Sequence, residues 1–377
     1  MVTILSAFLS LAIGVHPVEV DPIGDVVTVE FVLDGVSVAV LDAEPWVVDC
    51  DFGAEMAPHE LVVIGRDSDG QEIARASRWI NLPRHSAAGW RAIAGAGSEE
   101  SDLTTLVFEL QGRKPPAPSE MEGWLTKDGK ALEVVAVERG GADVVVVQEA
   151  TMRLWGDLLK VRRGVLESGN RNALKERLSS GLNYEDRLRV MLPVGETQAG
   201  GVAKFHISTD FSEIDYGPTT SGVARRAVAG ARAYGLLATF PYPPESSLRA
   251  DTPRRTADAV AIAALAASGA NRARAVVLVR EAGTRDHSQH DPDAVRRYLD
   301  RLQVPLAIWF GGSSRDDGLW GAAQKVSTPE RFLRAVRNLR ELLDSQVVVR
   351  VRGRHLAQKV ELSSAARQLL RPVGRER

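Results

Sequence analysis

One cysteine among 377 residues, Cys50, leaves no intrachain disulfide and no cysteine-built zinc site. It sits in the alternating run 46-WVVDCDFG-53 between two aspartates, where a thiol serves as a small buried hydrophobe rather than an activated nucleophile. Charge of one sign is also lacking: 47 Lys and Arg against 49 Asp and Glu give a formal net charge of -2, without the footprint of a nucleic-acid binder. The basic runs 272-RARAVVLVR-280 and 371-RPVGRER-377 read as a solvated face and a frayed end. No internal segment approaches the roughly twenty unbroken apolar residues of a membrane helix. The sequence contains no Gly-x-Ser-x-Gly elbow, no Walker loop and no Gly-x-Gly-x-x-Gly after a strand. The glycine-rich pieces 93-IAGAGS-98 and 311-GGSSRDDG-318 lack phosphate-cradling spacing and read as loops. The seven histidines are scattered.

What is present begins with an apolar stretch, Val2 to Ile13. Ala12 and Gly14 fit the small-x-small rule for cleavage, so residues 1–16 read as a secretory signal and the protein is expected outside the cytoplasm. A basic leader segment is missing, and the plainer reading is a buried first strand or helix.

With 44% apolar and 25% charged residues, the chain is long enough for two ordinary domains. Residues 17–137 carry strands and turns. Val27 to Leu33 alternates as VTVEFVL, ends in the hairpin pair Asp34-Gly35, and is followed at once by VSVAVL. Then come 60-ELVVIGRD-67, the turn 67-DSDG-70, 71-QEIARASRWI-80, 103-LTTLVFEL-110 and 131-ALEVVAVE-138. Strands this dense without a helical period predict a β-sandwich. The stretches VEFVLDGVSVAV, 43-AEPWVVD-49 and 59-HELVVIGRDSDGQEIARAS-77 resemble bacterial immunoglobulin-like modules of cell-surface proteins. The resemblance implies a spacer or binding module, in which His59 packs or caps.

From about residue 138 strands alternate with helices. The strands are Val144–Gln148, Leu188–Leu192, Ala203–Ile207, Ala275–Val279, Pro305–Phe310 and Gln346–Val351. Asp157–Leu178 has a helical apolar period. Thr252-Pro253 is expected to start the helix 256-TADAVAIAALAAS-268, Asp291-Pro292 to start 293-DAVRRYLDRL-302, and Ser327-Thr328-Pro329-Glu330 to start 331-RFLRAVRNLRELL-343. Continuous apolar strands between capped helices predict a mostly parallel sheet covered on both faces.

This order resembles a von Willebrand factor A domain over residues 138–353, with 354–377 as a C-terminal tail. The resemblance rests on VVVV before the loop at Gln148–Met152, on 274-RAVVLVREAG-283 and 303-QVPLAIWFG-311, and on the late 319-LWGAAQKVSTPERFLRAV-336, as in a bacterial secreted branch. The expected fold is therefore two-domain: an immunoglobulin-like all-β sandwich followed by a Rossmann-like α/β A-type domain.

The family's metal site needs Asp-x-Ser-x-Ser, a Thr from a second loop and an Asp from a third, because Mg²⁺ takes hard oxygen ligands in near-octahedral array. Here the first motif reads Gln148, Glu149, Ala150, Thr151, Met152. The third-loop position falls at Arg280 or Glu281, and Thr219 or Thr220 could supply the second-loop hydroxyl. The resemblance thus implies a degenerate site without metal or cofactor. A displaced site at Asp210-x-Ser212 would orphan the strands at 144–148 and 188–192, and 286-DHSQHD-291, with His287, reads as a polar loop ending in a helix cap.

The expectation is a non-catalytic extracytoplasmic protein that binds a protein partner through the rim formed by Gln148, Glu149, Thr151, Thr219, Thr220, Arg280 and Glu281. Arg280 either reads a partner carboxylate in place of the ion or pairs internally with Glu281, Glu149 or Asp286. The alternatives are a hydrolase using the crevice at the strand C-termini, through a convergence of His206, Asp210, Glu281 and His287, and a structural spacer.

Overall fold

A computed structural model describes residues 1–6, 11–83, 103–112, 114–149, 160–161, 185–193, 254–269, 271–281, 285–311 and 318–373, and the backbone of 212–216. The chain divides into two compact units, Met1–Gly95 and Ala96–Arg377. No helix of the described residues is long and apolar enough to cross a membrane.

Unit 1 contains seven strands, β1 (Val2–Ile4), β2 (Val15–Pro22), β3 (Thr28–Leu33), β4 (Val36–Leu41), β5 (Val47–Asp51), β6 (His59–Arg66) and β7 (Glu72–Ile80). They form two antiparallel sheets, β1-β2-β5 and β4-β3-β6-β7. Alternate residues of both sheets, among them Val18, Val20, Phe31, Cys50, Phe52, Leu61 and Val63, share one core. This is the period-two pattern of the sequence turned into two layers. Cys50 is fully inside, and burial, with Asp49 adding, pushes its thiol above the ordinary range. The Val2–Ile4 run lies in the sheet, with Val2 and Ala12 in the core, as the plainer reading of the N-terminus has it. The β3–β4 hairpin turns on Asp34 (φ 53°) and Gly35 (φ 87°), the two positive-φ positions of a type I′ turn. Asp34 then accepts the Glu60 N–H at 2.9 Å and meets His59 Nδ1 at 2.8 Å, while the His59 ring lies against Phe52. His59 packs and braces the turn.

Unit 2 begins with β8 (Leu103–Leu110), β9 (Leu125–Lys127), β10 (Lys130–Ala131) and β11 (Val134–Glu138). The α/β part follows as β12 (Ala142–Gln148), β13 (Arg187–Leu192), β14 (Ser212–Tyr216), α1 (Thr256–Ser268), β15 (Ala273–Arg280), α2 (Pro292–Arg301), β16 (Leu306–Phe310), β17 (Gln324–Lys325) and α3 (Pro329–Asp344). The chain closes with β18 (Gln346–Arg352), β19 (Glu361–Leu362), α4 (Ser364–Leu369) and β20 (Leu370–Pro372). One six-stranded sheet has the order β14-β13-β12-β15-β16-β17, parallel except for the antiparallel edge β14. Strands β12 and β15 at its centre are buried along their whole length, which is why they read as unbroken valine runs. Val144, Val146, Val277, Val279 and Trp309 pack against Phe332, Val336 and Leu339 of α3 on one face.

The structure corrects one strand assignment. Gln346–Val351, expected in the α/β sheet, is instead the interior strand β18 of an antiparallel sheet, β11-β18-β8-β20. Its two edges are taken by β8 and β11, both expected in the sandwich, and the three strands bury Leu106, Phe108, Val347, Val349 and Val351 in a core of their own. The compact units accordingly part between Gly95 and Ala96, whereas the period of the sequence changes near residue 138. The Asp157–Leu178 helix falls outside the described residues except for Lys160 and Val161, and the Ala203–Ile207 strand does so entirely.

Candidate functional site: the crevice at the strand C-termini

The parallel strands end together where β12 runs out at Gln148 and β15 at Arg280, with Gln148 in register with Val279. Of the residues expected at this rim, Gln148, Glu149, Arg280 and Glu281 come together; Thr151, Thr219 and Thr220 lie outside the described residues, as do Ala150, Met152, His206 and Asp210.

Gln148 is fully buried, and among the described residues neither its amide oxygen nor its nitrogen has a hydrogen-bond partner. Its neighbour Glu149 points the other way and is tied in: its N–H donates to the Val279 carbonyl at 2.9 Å, one carboxylate oxygen accepts the Glu281 N–H at 2.9 Å, and the other faces Thr256 Oγ1 at 3.5 Å. Arg280 is 3% exposed, and its carbonyl accepts the Gly311 N–H at 2.9 Å. Beside them lies Arg254, also buried. Burial pushes its guanidinium below the ordinary range, while Glu149 and Glu281 pull it back up. Two carboxylates and two guanidiniums are thus packed at the strand ends.

Helix α1 departs from expectation at its start. Thr252-Pro253 was to cap it, but the helix begins at Thr256 after Arg255, which provides no side-chain cap. The orphan N–H groups of its first turn are satisfied through space. Asp286, from the loop after β15, accepts the N–H groups of Thr256 at 3.0 Å and Ala257 at 3.1 Å, and Ser288 Oγ accepts that of Asp258 at 3.1 Å. Asp286 also takes the Ser288 hydroxyl at 2.6 Å. Asp291 caps α2 as expected, accepting the Ala294 N–H at 2.7 Å. The run 286-DHSQHD-291 is therefore a double cap serving two helices.

Asp258 was not anticipated. It is the one acid in a helix that is otherwise almost entirely apolar and mostly buried, and a carboxylate there needs partners. It has them: the amides of Gln289 and His290 at 3.1–3.2 Å, Arg255 Nε at 2.8 Å, and His290 Nδ1 at 2.7 Å. Burial alone would raise this carboxyl, but the bonds from His290, Gln289 and Arg255 outweigh it and hold it below the ordinary range. In the sequence His290 reads only as part of a polar loop. The signal that would have found the pair is the solitary Asp in an all-apolar helix.

A cavity of about 380 Å³ is lined by Glu149, Arg280, Asp286 and His290 together with Leu319 and Trp320. Trp320 is buried, whereas Leu319 is 59% exposed at the mouth. Among the described residues no three of His, Cys, Asp or Glu are placed to hold a metal ion.

No protein-family model matches the chain, and no curated protein does. Among solved structures it is similar to proximal thread matrix protein 1 from the mussel byssus, at 11% identity and TM-score 0.34 over 60% of this chain and 51% of that one. The human COPII-coat protein Sec24c is similar at 10% identity and TM-score 0.33, over 60% and 40% of the two chains. The pilus adhesin SpaC from Lactobacillus rhamnosus GG is similar at 11% and 0.33, over 54% and 31%. The chain spans about half or less of the length of these three structures, and at such scores the likenesses carry no argument.

Proposed function

We propose that the protein is a non-catalytic, extracytoplasmic binding protein, in which an immunoglobulin-like sandwich precedes a metal-free A-type domain that meets a protein partner at the crevice of its parallel sheet. The observation that carries this reading is the commitment of the crevice carboxylates to groups of the fold itself. Glu149 is held by the Glu281 N–H, Asp286 and Asp291 cap helices, and Asp258 is enclosed by four donors, while the neutral amide of Gln148 stands where a cation would need its first acid. Groups so engaged shape a docking surface; stripping them for a hard cation would cost the helix caps. Of the two roles weighed for Arg280, its burial favours internal pairing over direct contact with a partner carboxylate.

The hydrolase reading has one observation in its favour, the Asp258–His290 pair on a cavity. Against it, Ser288 Oγ, the hydroxyl of the same loop, donates to Asp286 rather than to His290. A photocrosslinking residue placed at exposed Leu319, used in cells of the native host, tests the binding reading. A discrete crosslinked protein is expected, suppressed by an excess of unlabelled wild-type chain and not by an excess of Leu319→Lys. No adduct, together with ester or peptide hydrolysis abolished by His290→Asn, would replace binding with catalysis.

A further inference from the structure

On the cavity wall, His290 keeps one ring nitrogen outside its bond to Asp258. His290 bonds Asp258 through Nδ1 at 2.7 Å, and because Asp258 is held as an acceptor by its other donors, Nδ1 carries the proton. In the singly protonated ring Nε2 is then a lone pair, and the ring, which lines the cavity, is held in that tautomer by the aspartate. We infer that this cavity takes an alkylammonium group, as a lysine side chain of a partner protein carries, with His290 Nε2 accepting one of its N–H bonds and Asp258 as the positioning residue.

Three features of the site point to that ligand. With the proton on Nδ1, Nε2 of the singly protonated ring accepts, so the matching ligand brings a donor, and a carboxylate brings none. The wall carries Glu149, Asp286 and Asp291 against one cation, Arg280; the helix N-termini that the two aspartates cap offset part of their charge, and what remains favours positive charge. Pro292, Leu319 and Trp320 also line the cavity and supply apolar surface suited to a methylene stem. A volume of about 380 Å³ accommodates a butyl chain and its ammonium with room for water. The inference rests on the crevice being the binding face, but small probes test it without any protein partner.

The experiment follows the full chain, labelled with ¹⁵N-histidine, at about pH 8, above the ordinary imidazole range. It is titrated separately with n-butylammonium, butyltrimethylammonium, 1-butanol and butyrate. The ammonium should shift the His290 Nε2 resonance saturably. Butyltrimethylammonium has the charge and the stem but no N–H, and should shift His290 far less. His290→Asn, whose amide can keep the bond to Asp258 but lacks Nε2, should bind n-butylammonium about tenfold more weakly or not at all. Equal shifts from the two cations would overturn the role of Nε2, and so would undiminished binding by a folded His290→Asn. Shifts from butyrate alone would make this an anion site. Silence from every probe would remove the site, yet leave protein capture at Leu319 standing. Probe binding with no crosslinked partner would do the reverse.

Discussion

Gln346, at the start of β18, closes a gap in the neighbouring sheet, and its replacement by Met should be costly. Strand β16 begins opposite Val276, where the Pro305 carbonyl takes the Val276 N–H at 2.9 Å. Two residues earlier, Arg274 turns its main chain to the same side, where β16 has not yet started. The Gln346 side chain stands in for the missing strand: Oε1 accepts the Arg274 N–H at 2.9 Å and Nε2 donates to the Arg274 carbonyl at 2.9 Å. Both residues are buried, Gln346 to 2% exposure. Methionine keeps the length and flexibility of the side chain and removes both bonds, so the substitution isolates the polar contribution. Each buried main-chain group left without a partner costs about 1–3 kcal/mol, and the easier burial of a thioether returns part of that. The net expectation is a loss of about 2–4 kcal/mol. Urea unfolding of unit 2, followed by the fluorescence of buried Trp309, should show a lower midpoint at unchanged slope. A change under about 0.5 kcal/mol would mean that water or a relaxed β16 satisfies Arg274 instead, and the strand-substitute argument would fail.

Other expectations follow from the same geometry. Calorimetry with Mg²⁺ or Mn²⁺ should detect no binding tighter than about millimolar; roughly micromolar binding abolished by Glu281→Ala would contradict it. Asp143 is fully buried in a pair with Arg189, whose Nη2 lies 2.9 Å away. Burial raises its carboxyl while Arg189 opposes the rise, so Arg189→Met should destabilise by about 3–5 kcal/mol in thermal unfolding, and a double replacement by apolar residues by less. Asp258, with its folded pKa below the unfolded carboxylate value of about 3.9, contributes stability that is fully present above that value and is lost as pH falls through the folded pKa. Asp258→Asn should therefore be less stable than wild type at neutral pH and converge with it in strong acid, and a constant difference at every pH would refute the linkage. Residues 96–377 expressed alone should fold cooperatively, whereas 138–377, which lacks β8 and β11, should expose both edges of β18 and aggregate or melt early. A stable 138–377 fragment in limited proteolysis would restore the boundary that the sequence period suggests.

Local chemistry explains what could be read from the chain. The valine runs of β12 and β15 declare strands buried on both faces. Asp34-Gly35 declares its hairpin, and Asp291-Pro292 declares the start of α2, because each signal sits within a few residues of its effect. Sheet membership is another matter. Alternation in 103-LTTLVFEL-110 announces a strand but not its partner, and the partner, β18, arrives more than two hundred residues later. The cap of α1 failed for the same reason: its acceptor, Asp286, is thirty residues away, and nothing near Thr256 reveals it.

The crevice shows where local reading misleads most. Matching 148–152 and 280–281 to a metal-binding pattern directs attention to the residues that changed and asks what was lost. His290, bonded to Asp258 on the cavity wall, lies elsewhere, in a run that reads as a plain polar loop. Six residues there cap two helices and, by doing so, bring His290 over Asp258. The caps fix the loop, the loop fixes the ring, and the buried carboxylate fixes the tautomer. A loop held at both ends by helix N-termini has little freedom left, so the position of Nε2 at the cavity is a consequence of the fold's own hydrogen-bond accounting. Pattern matching alone does not reach His290, whereas asking where the one charged group of a buried helix finds its donors leads directly to it.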